Sequence, residues 1–233
     1  MTMDAQTARY EKNCILTPLE QGRFRAATVA VVGLGGLGGY VAEQLVRLGI
    51  GHLVLIDGDV FQASNLNRQL FCEEAMLGIK KTEGARKRLL AIDGNVRLSV
   101  FSEYLNVQNG KEILGASMVV VDATDNNHAR SVLLALCNEI GVPMIYGAIG
   151  GWFGQVCTAF PGDNTVAMLL RGAADRGVEV SLGNPAFTPA LIASLQVAEV
   201  VKVLTGKGQL LRGGFLYCDL LTLDFEFIHI EKD

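Results

Sequence analysis

The sequence predicts an α/β fold: a Rossmann-like, mostly parallel sheet flanked by helices and extended by antiparallel strands. Three features of the 233-residue chain carry that expectation. Short β-branched runs alternate with helical patterns through the first part of the chain, as βαβ units do. The first run stops at a cluster of glycines that opens a helix, the turn such units use. Later, strand-sized runs follow one another without a helix between them, which is the pattern of an antiparallel extension.

Taken in order, residues 4–13 read as an N-terminal helix. Thr17-Pro18 offers an N-cap with proline at the first helical position, so 19–26 reads as a second short helix. Thr28-Val29-Ala30-Val31-Val32 is the first strand. Gly33, Gly35 and Gly38 follow in G-x-G-x-x-G spacing, with Gly36 between them. Val41, Leu45 and Leu48 mark one face of the next helix, and Gly49 ends it. His52-Leu53-Val54-Leu55-Ile56 is the second strand, closed by Asp57. Strand, glycine turn, helix and terminal acid together form the fingerprint of a nucleotide site. Glycine lets the backbone approach phosphates, the helix start offers unpaired N–H groups, and the carboxylate can accept hydrogen bonds from ribose hydroxyls.

A dehydrogenase would run from that acid into its next helix. Here a polar loop follows instead, carrying Asp59, Asn65, Arg68 and Gln69. Lys80-Lys81 then opens a helix to about Ile92. An ammonium at a helix start opposes the helix dipole, so either a phosphate partner explains Lys81 or the pair is simply solvated. Residues 96–101 read as a third strand, 106–114 as a crossover helix and 118–121 as a fourth strand, apolar throughout as buried parallel strands are. That strand runs into Asp122-Ala123-Thr124-Asp125-Asn126, at the end of the sheet where open α/β folds bind ligands. Two carboxylates beside a nucleotide's phosphates would suit a hard cation. Alternatively, Asp125 or Asn126 caps the helix Asn127–Ile140.

Residues 143–148 and 154–160 read as strands joined through Gly150-Gly151-Trp152-Phe153, with Trp152 and Phe153 expected in the core rather than against a partner. The glycine-containing stretch 171–177 reads as a mobile loop. Residues 189–205 form a helix stopped by Gly206, on which Glu199 and Lys202 are expected at the surface or a hinge. Residues 215–219 and 225–230 close the chain as strands.

A net charge of −4 without clustered basic residues argues against nucleic acid and anionic membranes. Apolar runs are strand-sized or interrupted, so no membrane-spanning helix is expected, and residues 1–9 lack the apolar core of a signal peptide. Five cysteines without a C-x-x-C pair suggest reduced thiols in a cytoplasm.

The loop from Asp57 to Gln69 resembles the D-x-D-x-V-x-x-S-N-L-x-R-Q signature of the ThiF/MoeB/HesA family, bacterial relatives of ubiquitin-activating enzymes. The likeness runs from Arg9-Tyr10 to about Thr222. Lys81 matches the lysine of a K-x-x-x-A-R pattern, Asp122 to Asn126 match D-x-T-D-N, and 193–206 resemble G-S-L-Q-A-x-E-A-I-K-x-L-T-G with Ala193 in the glycine's place. The resemblance implies ATP-dependent adenylation of the C-terminal glycine of a ubiquitin-like sulfur carrier protein ending in Gly-Gly. It also implies roles for individual residues. Gly33, Gly35, Gly36 and Gly38 admit ATP, Asp57 holds its ribose, and Asp59 belongs to the same nucleotide loop. Arg68 and Lys81 neutralise phosphates, Asn65 and Gln69 fix the loop and contact phosphate oxygens, and Asp125 anchors Mg²⁺. A homodimer follows too, in which Lys12, standing where R-Y-x-R-Q has its second arginine, reaches the partner's ATP; otherwise Lys12 is an exposed basic helix end. On this reading 1–233 is a single adenylation domain. Residues 1–27 are N-terminal helices, 28–150 the nucleotide half, and 151–233 the carrier half with a crossover loop.

Two departures matter. The family's paired zinc cysteines are missing, and no cysteine lies between Arg171 and Pro189, where some members carry a catalytic thiol. Neither zinc nor a thiol intermediate is therefore expected, although Cys72 follows the Arg68 loop closely enough to lie near the nucleotide. An NAD-dependent oxidoreductase and a non-catalytic scaffold remain the competing readings.

Overall fold

The computed structural model describes residues 8–173, 175 and 179–230. Eight strands form one sheet in the order β3-β2-β1-β4-β5-β6-β7-β8. They are β1 (Thr28–Val32), β2 (His52–Ile56), β3 (Arg97–Phe101), β4 (Val119–Asp122), β5 (Met144–Gly150), β6 (Phe153–Ala159), β7 (Gly214–Asp219) and β8 (Asp224–His229). Pairings from β3 to β5 are parallel and those from β5 to β8 antiparallel, as the sequence predicts. β1 lies between β2 and β4, so the chain order reverses there, and a crevice opens beyond the carboxyl ends of these strands.

The helices are α1 (Pro18–Ala26), α2 (Gly36–Leu48), α3 (Lys81–Ile92), α4 (Gly110–Leu114), α5 (Asn127–Ile140), α6 (Thr165–Leu170), α7 (Glu179–Leu182) and α8 (Phe187–Thr205). One core joins α2 and α8 to a sheet face through Val41, Leu45, Ile192 and Val197. The other packs Leu133, Leu136 and Val166 of α5 and α6 on the opposite face. Both faces are thereby covered, which is why β1, β2 and β4 are buried along their whole length.

Several local expectations change. Residues 8 and 9 are helical, but the chain turns from Tyr10 onward, because Arg9 pairs with Asp93 and the Tyr10 hydroxyl donates to the same carboxylate at 3.4 Å. Residues 4–7 lie outside the described residues. The crossover helix starts at Gly110 rather than 106, since Asn106 Oδ1 accepts from the N–H groups of Gln108 and Asn109 and closes a turn of its own. Trp152 is 43% exposed on the tip between β5 and β6, against Phe187 at 4.7 Å, and so is not a core residue. Of residues 171–177, 174, 176 and 177 lie outside the described residues.

α8 departs most from expectation. Its 19 residues are long and apolar enough to cross a membrane by length and composition. Yet it lies on the sheet with Ile192, Ala193, Val197 and Val200 in the core, and it buries Gln196 and Glu199 as well. Glu199 is 1% exposed, so it is neither a surface nor a hinge residue. Its Oε2 accepts from Thr158 Oγ1 at 2.5 Å and Leu211 N at 2.9 Å, and Lys202 neutralises Oε1. A buried carboxylate with every oxygen engaged ties α8 to β6 and to the segment entering β7.

Candidate active site

β1 delivers the chain into the crevice at Gly33, whose φ of 92° is left-handed and favours glycine. A Cβ at Gly38 would lie 1.8 Å from the Gly33 carbonyl oxygen, so Gly38 exists to let α2 pack on the turn. Gly33, Gly35 and Gly36 line a cavity of about 390 Å³, the size of a small-molecule site, whereas Gly38 does not. α2 begins at Gly36 with Gly35 as a cap lacking a side-chain bond, which leaves its first N–H groups for an anion.

Asp57 closes β2, and its carboxylate is already partly engaged. Oδ2 accepts from Leu34 N at 2.7 Å and Oδ1 from Asp59 N at 2.8 Å. The acid therefore holds the glycine turn in shape, and only its remaining lone pairs can serve a ribose. Burial pushes its carboxyl up, against the pull of Lys81 and these N–H groups.

Lys81 is 7% exposed at the start of α3, and its partner in this structure is a carboxylate rather than solvent. Nζ lies 2.8 Å from Asp59 Oδ2 and 4.0 Å from Asp57 Oδ2. Burial works against the Asp59 anion, but Lys81 and the Tyr104 hydroxyl outweigh it and hold its pKa below the ordinary carboxylate range. Arg68 lines the same cavity from the loop, half-buried, with one nitrogen donating to Ser64 O and Asn67 Oδ1, both at 2.8 Å. Gln69 is on the wall with its Oε1 buried and unpaired, an acceptor with room for a ligand donor. Asn65 is buried behind the wall, where Oδ1 accepts from Gln62 N at 3.0 Å, so it fixes the loop without facing the cavity.

Asn126 is the cap of α5, its Oδ1 accepting from Ala129 N at 2.8 Å. That frees Asp125, exposed on the cavity wall and without an ion pair among the described residues. Of the predicted residues, the cavity thus unites Arg68, Lys81, Asp125, Gly33, Gly35, Gly36, Asp57, Asp59 and Gln69. Lys12 lies elsewhere. It follows Arg9 and Tyr10, which are held at Asp93 and packed near Gly49 beyond the amino ends of the strands, a strand length from the cavity.

Two cavity residues escaped the sequence reading. Arg130, one turn into α5, reaches back to the fully buried Asp122, with Nε 3.4 Å from Oδ2, and donates to the carbonyls of Thr124 and Gly147. Its signal was an arginine one helical turn after the Asp125-Asn126 cap. Tyr104, just past β3, donates to Asp59 Oδ1. Its only trace was a lone tyrosine beyond the end of a strand.

Cys72 is buried, off the cavity wall, its thiol pushed up by burial. Cys137 and Cys218 are core residues whose burial pushes their thiols to about 12 and about 11, and Cys157 moves in the same direction. None is poised as a nucleophile. Cys72→Ser should therefore leave nucleotide chemistry unchanged, and metal analysis of the purified protein should find no stoichiometric zinc. A thiol-sensitive conjugate lost in that variant would contradict this.

Compared with known families, residues 10–233 match the ThiF family. The chain belongs to the ThiF family. Among curated ThiF-type relatives, the SAMP-activating enzyme E1 of Haloferax volcanii is 32% identical over 98% of this chain and 87% of its own. The sulfur carrier protein adenylyltransferase of Thermus thermophilus is 32% identical over 97% and 88%. The molybdopterin-synthase adenylyltransferase of Escherichia coli is 31% identical over 99% and 95%. Solved structures share the fold. PaaA superposes with a TM-score of 0.81 at 24% identity, covering 99% of this chain and 84% of PaaA. E. coli tRNA N6-threonylcarbamoyladenosine dehydratase, solved with ATP, gives a TM-score of 0.76 at 22% identity, covering 88% and 97%.

Proposed function

We propose that this chain adenylates the C-terminal carboxylate of a ubiquitin-like sulfur carrier protein, converting ATP to an acyl-adenylate and pyrophosphate. The observation that carries this reading is the convergence of an uncapped glycine-turn helix start with Arg68, Lys81 and Asp125 on one cavity. The curated relatives named for the same chemistry match nearly end to end and support it.

The reaction needs no enzyme nucleophile. A carrier carboxylate oxygen attacks the α-phosphorus, forming the new O–P bond as the bond to pyrophosphate breaks. The chain supplies position and charge. N–H groups of the glycine turn and α2 receive phosphate oxygens, Arg68 offers its unused donors at the rim, and Lys81 stands at the floor. Asp125 fits a Mg²⁺ ion that arrives with the nucleotide, because a carboxylate free of other cations is what such an ion adds to phosphate and water ligands. Among the described residues no three His, Cys, Asp or Glu side chains group closely enough to hold a metal by themselves, which suits a shared ion. When bound, that ion would offset phosphate charge.

In this reading 28–150 is the nucleotide half and 151–233 the carrier half, with Asn184 on the cavity wall where the crossover segment returns. We place the enzyme in the cytoplasm as a homodimer, with Lys12 serving the partner's site, since its tether keeps it from its own. Mixing Lys12→Ala with Asp125→Ala subunits should then restore activity, because one hybrid site keeps both residues. Freely exchanging subunits that recover nothing would refute the trans role.

The reading is tested by exchange of labelled pyrophosphate into ATP, expected only with a carrier that retains its terminal glycine. Exchange indifferent to removal of that glycine would overturn it.

A further inference from the structure

Lys81 and Asp59 pose a difficulty for nucleotide binding. The ammonium meant for a phosphate is already held at 2.8 Å by a carboxylate, so an incoming phosphate must compete for it. Asp59, once deserted, is an anion partly withdrawn from water. From this geometry we infer that Tyr104 is a positioning residue for the nucleotide step: its hydroxyl keeps Asp59 satisfied, so that Lys81 can be released to phosphate. The inference rests on the ATP site proposed above.

Three observations support it. The two donors divide the carboxylate between them, Tyr104 on Oδ1 and Lys81 on Oδ2, so the tyrosine bond survives when the lysine leaves. The ring is 69% exposed and belongs to neither core, so packing does not explain its place. Its seat is shaped for it, since a Cβ on Gly58 would fall 2.9 Å from the ring carbons and force it away. Tyr104 is also the one aromatic residue among the described residues lining the cavity.

The Tyr104 bond is present before and after the lysine leaves, so ATP binding registers only its gain in strength once Asp59 has lost its other partner, a fraction of what a hydrogen bond to a charged group is worth. Tyr104→Phe should therefore weaken ATP binding, measured by calorimetry without carrier, by about threefold to fivefold, with the melting temperature little changed. In pyrophosphate exchange the loss should fall on KM for ATP, with kcat within about twofold. Gly58→Ala, which displaces the ring but removes no polar group, should give the same pattern. In an Asp59→Asn background Tyr104→Phe should cost nothing further, because the anion it serves is gone. Unchanged ATP affinity in Tyr104→Phe, or an equal loss in the Asp59→Asn background, would overturn the inference. A parent protein that binds ATP but exchanges no pyrophosphate would fail the adenylation reading and leave this binding inference standing.

Discussion

Asp125→Ala should lower carrier-dependent exchange of pyrophosphate into ATP by about a hundredfold or more, the usual cost of removing a group placed on developing phosphate charge. The fold should not register the change. Asp125 is exposed, and capping of α5 falls to its neighbour, whose Oδ1 takes the Ala129 N–H at 2.8 Å. Asn126→Ala should show the opposite balance, costing about 1 kcal/mol of stability through the lost cap. Comparing exchange rates and melting temperatures of the two variants separates a ligand-facing acid from a helix terminator. Normal exchange in Asp125→Ala would remove Asp125 from the site.

How far the sequence could be read depended on how local each interaction is. The β1–glycine turn–α2–β2 unit was legible because its glycines, apolar runs and closing Asp57 are constrained by neighbours within about thirty residues, the span of a βαβ unit. The loop motif likewise placed Arg68, Gln69 and Asp59 on one wall. What it hid was partnership across the chain. Glu199 on a helix pattern reads as surface, and only the approach of Thr158 and Leu211 makes its burial tolerable. Lys81 reads as a lysine awaiting a phosphate, and the fold gives it Asp59 first. Asp57 reads as a ribose ligand, and the glycine turn claims much of it. Each of these three is a polar side chain whose partner lies on another element, where periodicity carries no information.

Arg130→Met should destabilise the protein by roughly 3–5 kcal/mol at neutral pH, the cost of stranding one member of a buried ion pair. For a chain of this length each kcal/mol lowers the melting temperature by about 2–4 °C, so a drop on the order of 10 °C is expected. Asp122 is fully buried, while the Arg130 side chain is 12% exposed. The stranded group is therefore the carboxylate, and its titration gives the variant a signature. Burial pushes the Asp122 carboxyl above its ordinary 3.8, opposed by Arg130 and by hydrogen bonds from Thr124. A group whose folded-state pKa is raised contributes stability below the unfolded value and loses it as pH rises through the folded one. With Arg130 gone the upward push meets less opposition, so the loss should extend to higher pH, and the variant should melt higher at pH 5 than at pH 8. Asp122→Asn in the same chain should restore most of the lost stability and flatten that slope, since a neutral amide needs no counter-charge while Thr124 can still bond its oxygen. A deficit in Arg130→Met that neither varies with pH nor yields to Asp122→Asn would show that Arg130 acts through its bonds to the Thr124 and Gly147 carbonyls instead of through charge.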